Sequence, residues 1–102
     1  MNPLILTYAD VMDRLSHLDL DGHKVWGIPR GGSVVASLAA NYGAVVVGDP
    51  RDADILLDDV RDSGATGDHW QSHRPDAQML YVVDKQAEGI DCWVQFPWEP
   101  SA

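Results

Sequence analysis

The sequence predicts an α/β fold: a mainly parallel sheet with flanking helices, ending in a short aromatic segment. Three observations lead there. Short apolar runs alternate with stretches of helical periodicity along the chain, which is the pattern of strand–helix–strand units. Two strand-to-helix junctions, at 29–32 and 63–67, are rich in glycine and small residues. The 102 residues, 45% of them apolar, suit one domain over 1–102. A chain of this size buries roughly two-thirds of its unfolded surface, so the core is real but modest.

Residues 7–18 read as an amphipathic helix. Thr7 is a suitable N-cap, Asp10 is an acidic partner in the first turn, and Tyr8, Val11, Met12, Leu15 and Leu18 share a face. Asp19 to Gly22 is a turn. Lys24–Ile28 reads as a strand that runs straight into Pro29-Arg30-Gly31-Gly32. The next helix carries Val34, Val35, Leu38, Ala39 and Tyr42, with Gly43 as its C-terminal cap. Ala44–Val47 reads as a buried strand and 48–52 as a short loop.

Ile55-Leu56-Leu57, bounded by Asp54 and Asp58, reads as another buried strand, with Asp58 and Asp59 at its C-terminal end. A helix starts near Ala65 and stops at about Arg74, since Pro75 disfavours helical backbone in the residue before it. Met79–Val83 is the last strand of the sheet. Ala87–Asp91 is a polar turn, and Cys92–Glu99 forms the aromatic, strand-like tail. Right-handed crossovers order the strands 44–47, 24–28, 55–59, 79–83. The switch point then lies between 24–28 and 55–59, where ligands of such sheets bind, and both glycine-rich turns open there.

The residue types at that edge suit an anionic, ribose-bearing ligand. Free N–H groups and the dipole at a helix N-terminus favour phosphate, and two strand–loop–helix junctions provide them. Asp58 and Asp59 suit ribose hydroxyls or a hard cation such as Mg²⁺. Lys85, just past a strand end on the same edge, can meet a ligand's carbonyl oxygen. Trp93, Phe96 and Trp98 fall within six residues, and flat aromatic faces suit a planar heterocycle. Phe96 and Trp98 read as core cover, and Trp93 as a ligand face. His69 and His73 are spaced i, i+4, but no Glu follows His69 and no third ligand is evident, so they read as a solvated helix face.

The run Ile55-Leu56-Leu57-Asp58-Asp59-Val60-Arg61-Asp62-Ser63-Gly64-Ala65-Thr66-Gly67 resembles the phosphoribosyl-pyrophosphate (PRPP) signature of the type I phosphoribosyltransferases. The likeness extends from about Val25 to Glu99. Gly27-Ile28-Pro29-Arg30-Gly31-Gly32 resembles the family's pyrophosphate loop, where an Arg or Lys followed by Gly commonly adopts a non-proline cis peptide. Cys92–Glu99 resembles the C-terminal segment of the xanthine, guanine and hypoxanthine enzymes. The resemblance implies transfer of a 5-phosphoribosyl group from PRPP to a purine, with release of pyrophosphate. It implies Asp58 and Asp59 at the ribose and Mg²⁺, and Asp62 as the catalytic carboxylate beside the base. Ser63, Gly64, Ala65 and Thr66 would take the 5′-phosphate, and Arg30 and Gly31 the pyrophosphate. Lys85, Trp93 and Val94 would hold the base.

Other features bound this expectation. The chain has 7 basic and 16 acidic residues, a net charge of −9, which argues against non-specific nucleic-acid binding. No apolar run approaches the ~20 residues of a membrane span, and no secretory leader is read at the N-terminus. The single Cys92 fits a reducing cytoplasm. The sequence also departs from the family. Its members usually insert a flexible hairpin between the strands at 44–47 and 55–59, and residues 48–52 are too few to reach over a ligand and return. The expectation is therefore a homodimer with a rather open site and weak or absent transfer. The alternative is a PRPP- or nucleotide-binding protein of this fold.

Overall fold

The computed structural model describes residues 2–100. Four strands form one parallel sheet: β2 (Lys24–Gly27), β3 (Val45–Val46), β4 (Ile55–Arg61) and β5 (Gln78–Asp84), in the order β3-β2-β4-β5. This is the strand order the crossover argument predicts, with the switch between β2 and β4. A second, two-stranded parallel sheet joins β1 (Leu4–Ile5) to β6 (Val94–Gln95), pairing Leu4 with Val94. The helices are α1 (Tyr8–Ser16), α2 (Gly31–Ala39), α3 (Ala65–His73) and α4 (Lys85–Glu88). None is long and apolar enough to cross a membrane among the described residues.

Local chemistry explains the helix ends. Thr7 and Asp10 form a reciprocal capping box at α1: Asp10 N–H donates to the Thr7 hydroxyl oxygen, and Thr7 N–H donates to the Asp10 carboxylate. α2 runs into a 3₁₀ turn, Ala40–Tyr42, that ends at Gly43. The main core lies on the face of the sheet covered by α1 and α2, where Val11, Leu15, Val25, Val35, Ile55 and Leu57 are fully buried. A smaller cluster of Ala53, Leu56 and Ala77 lies under Trp26 and Trp70, whose rings meet edge to face at 4.8 Å. Phe96 is buried, and Trp98 stacks on it at 4.9 Å. Both therefore serve packing, as read from the sequence.

Three expectations are corrected, and one element is added. Ala44–Val47 is not a buried strand. Only Val45 and Val46 pair, at the sheet edge, and they are 51% and 47% exposed because β2 is their sole neighbour. The strand at 55 does not stop at the acidic pair. Its ladder with β5 continues from Asp58–Tyr81 to Arg61–Asp84, so both carboxylates lie inside β4. Lys85 does follow the strand end directly, since β5 ends at Asp84, but Ala87 and Glu88 are not turn residues. Lys85, Gln86, Ala87 and Glu88 belong to one short helix, α4, because the Asp84 carboxylate caps the N–H groups of Gln86 and Ala87. Finally, β1 has no sequence signal: two residues are too few for periodicity, and only their partner β6 makes them a strand.

Candidate functional site

The C-terminal ends of β2 and β4 and the N-termini of α2 and α3 enclose a cavity of about 360 Å³. That lies within the usual range of small-molecule sites, about 300–1,000 Å³. One wall is the turn 29–31. The peptide between Pro29 and Arg30 is cis, within the loop where the family resemblance implies such a bond but at the junction before Arg30. A Cβ on Gly31 would meet the Asp59 carboxylate and force it to shift, so the turn closes directly onto the acidic pair. Arg30 is exposed at the rim.

The other wall is Asp62–Thr66. Gly64 has φ +90°, a left-handed conformation that turns the chain from β4 into α3 and that side chains resist. The Ser63 hydroxyl accepts the Ala65 N–H at 3.2 Å, which ties the loop at the helix N-terminus. Gln86 braces it from α4, its amide donating to the Asp62 and Ser63 carbonyls at 3.3 and 3.4 Å.

Asp58 is 8% exposed and Asp59 half-buried. Each accepts one backbone N–H at 2.8 Å, Asp58 from Asp59 and Asp59 from Val60. Neither forms an ion pair among the described residues. Burial, with the Asp59 carboxylate beside it, pushes the Asp58 carboxyl up to about 7. Two adjacent, unpaired carboxylates with free oxygen lone pairs fit a hard cation that keeps other ligands from water or phosphate. No cluster of three or more His, Cys, Asp or Glu side chains suited to a metal occurs among the described residues. Protein oxygens would thus supply at most part of the cation's shell.

Asp59 also lines a second, smaller cavity of about 160 Å³. Asp62, Lys85, Trp93 and Val94 line it too, so the residues expected at the base come together there. The Lys85 ammonium lies 3.6 Å from the Asp62 carboxylate; its side chain is only 12% exposed, that of Asp62 76%. Trp93 is 63% exposed, and its indole N–H donates to Gln95 at 3.4 Å. Val94 is different: it is 4% exposed, and most of its side chain belongs to the core under β6. A third cavity, of about 320 Å³, lies beyond Arg30, between Val34 and the Trp98–Glu99 tail, and again includes Asp59.

Sequence reasoning passed over four residues here. Arg61 and Tyr81 line the first cavity, Glu99 lines the second and third, and Gln86 braces the loop. Tyr81 becomes visible only once β5 is registered on β4, opposite Asp58. Arg61 sat in plain view inside the signature, as a spacer residue with no assigned role. His69 and His73 lie exposed on α3, outside these cavities.

No family model matches the chain, and no curated protein matches it in sequence. Among solved structures, one described as a purine phosphoribosyltransferase from Pyrococcus horikoshii Ot3 superposes with a TM-score of 0.61 at 19% identity. The match covers 100% of this chain and 97% of that one. At that identity the likeness establishes a shared fold: the chain is a phosphoribosyltransferase-like α/β domain.

Proposed function

We propose that the chain binds PRPP and a purine base and transfers the 5-phosphoribosyl group to the base, releasing pyrophosphate. The observation that carries this reading is Asp59, which faces both the cavity between the two glycine loops and the smaller cavity with Lys85 and Trp93. A ribose held there has an anion cradle on either side and a planar-ligand pocket beside it. The shared fold supports the same reading.

In the reaction, the bond from C1 to the pyrophosphate oxygen breaks and its electron pair leaves with pyrophosphate. The bond from C1 to the purine nitrogen forms, and the purine loses a proton. The Ser63–Thr66 amides fix the 5′-phosphate, and the 29–31 turn takes the leaving pyrophosphate. Asp58 and Asp59 hold the ribose hydroxyls. Asp62 accepts the purine proton, while Lys85, 3.6 Å away, meets the exocyclic oxygen. When Mg²⁺ is bound at Asp58 and Asp59, it supplies charge neutralisation for the pyrophosphate.

A second reading, a PRPP- or nucleotide-binding protein with little turnover, is favoured by the connector between β3 and β4. Residues 50–52 form a 3₁₀ turn whose Pro50 and Arg51 carbonyls accept from Arg74 at 2.8 and 2.7 Å. Arg74 follows the C-terminus of α3, whereas the cradle sits at its N-terminus. Nine helical residues span roughly 14 Å, so this connector is tied down far from the ligand and supplies no lid. Cover would have to come from a second copy of the chain, and the exposed Ile5, Tyr8, Val45, Val46 and Trp93 are the apolar surface a homodimer could use.

Incubation with PRPP, Mg²⁺ and adenine, guanine, hypoxanthine or xanthine, followed by chromatography, tests the reading. New nucleotide with matching pyrophosphate supports transfer. Retention of PRPP without product supports the second reading, and neither result refutes both.

A further inference from the structure

We propose that Arg61, aided by the Tyr81 hydroxyl, forms the side-chain half of the phosphate cradle and makes the site demand a phosphomonoester dianion. The proposal rests on the reading of the Ser63–Thr66 loop as the 5′-phosphate site, and it assigns to that site a charge that the loop amides lack.

The cavity is lined by the carboxylates Asp58, Asp59 and Asp62, in a protein of net charge −9. Its only cations are Arg30 and Arg61. Arg30 belongs to the opposite wall. Arg61 is therefore the one cation that lines the cavity on the loop side among the described residues; Lys85, outside this cavity, pairs with Asp62 and leaves Asp58 and Asp59 without a cation.

Geometry aims it correctly. Arg61 ends β4 and folds back over the loop it precedes. A Cβ on Gly64 would stand 3.4 Å from Arg61 Nε and 3.5 Å from Nη2, so the guanidinium lies against the residue that caps α3. Tyr81 approaches from β5, and its hydroxyl occupies the space a Cβ on Gly67 would need, at the first turn of the same helix. Both side chains thus border the helix N-terminus and line the same cavity. Burial pushes the Tyr81 hydroxyl above its ordinary range, which keeps it protonated and able to donate.

The donors are also available. Arg61 has one contact among the described residues, from Nη1 to the Asp84 carboxylate at 3.5 Å, with side chains 32% and 30% exposed. That contact is long, and the Asp84 oxygen already accepts the Gln86 and Ala87 N–H groups as the cap of α4. Four of the five guanidinium N–H groups are left free for a ligand. Asp84 holds the side chain near the cradle without satisfying it. A phosphate dianion offers shorter, charge-assisted and bidentate bonds, and it outcompetes the shared carboxylate.

The test is calorimetric titration of ribose 5-phosphate, with ribose as control, into the wild type and into Arg61→Ala, Arg61→Lys, Tyr81→Phe and Asp84→Asn. Unfolding midpoints check that each variant is folded. The wild type should bind ribose 5-phosphate and not ribose. Arg61→Ala should weaken binding by about tenfold or more, the size expected for a lost charged hydrogen bond. Arg61→Lys should recover part of the loss, and Tyr81→Phe should weaken binding severalfold. Asp84→Asn keeps the cap but drops the competing charge, so it should tighten binding, and that gain should shrink in the Arg61→Ala/Asp84→Asn double variant, whereas a gain from lost acidic charge alone would persist there. Should Arg61→Ala and Asp84→Asn both match the wild type, the inference is overturned while the parent reading stands. Should the wild type bind neither ribose 5-phosphate nor PRPP, the parent reading falls and the inference with it.

Discussion

At the scale of single residues, the acidic pair carries the sharpest consequences. Asp58 is a carboxyl whose folded-state value lies near 7, against an ordinary value near 4, because burial and Asp59 disfavour its charge. The sign follows from proton binding. Between pH 4 and 7 the folded chain holds a proton that the unfolded chain has released, so its contribution is full below pH 4, falls through this window and is flat above it. In the presence of a chelator, Asp58→Asn should remove that fall and raise stability at pH 8 by on the order of 1–3 kcal/mol, while weakening PRPP binding. Equal denaturant midpoints at pH 8 for variant and wild type would show that Asp58 is not strained by its site. Asp62 is the contrasting case, an exposed carboxylate with little packing. Asp62→Asn should leave folding nearly intact, with at most the small loss of its contact with Lys85, and slow transfer by about 10²–10⁴-fold, the usual worth of a general base. Turnover undiminished in that variant removes Asp62 from the chemistry. Trp93 is 63% exposed, so Trp93→Ala should weaken purine binding by roughly 1–3 kcal/mol as followed by fluorescence, with little loss of stability.

At the scale of elements, what could be read in advance depended on how local its cause was. α1 is legible because its stop and start signals lie within it: the Thr7–Asp10 box is a sequence pattern and a structural one. Thr7→Ala should cost about 1 kcal/mol in an unfolding titration, and no change would mean that the cap is satisfied by water instead. β2, β4 and β5 are legible from their apolar runs, and both glycine-rich loops from glycine placement at strand ends. Elements with distant causes were not. Val45 and Val46 have the composition of a core strand, but exposure at an edge is decided by which strands pair, not by the residues. β1 exists because β6 lies beside it. α4 escaped notice because four polar residues carry no periodicity, although Asp84 before Gln86 and Ala87 is an N-cap signal in hindsight. The same distinction runs through the site. The loop residues are contiguous in sequence, whereas Tyr81 joins them only through the β4–β5 register.

At the scale of the whole molecule, the proposed polyanion would have to be bound by local means in a chain of net charge −9: amides at two helix N-termini, a carboxylate pair suited to a cation, and Arg30 and Arg61 at the rims. With the β3–β4 connector held by Arg74, nothing in one copy of the described chain closes over that site. The account therefore expects tight binding to be easier to find than fast transfer, and a dimer in sedimentation at assay concentrations. The most direct measurement is equilibrium titration of PRPP into the protein with Mg²⁺ present, repeated with excess pyrophosphate. Saturable binding of one PRPP per chain, displaced by pyrophosphate and lost in Asp58→Asn, is the result the account predicts. Absence of saturable PRPP binding in a folded protein at millimolar Mg²⁺, or binding indifferent to pyrophosphate, would contradict it.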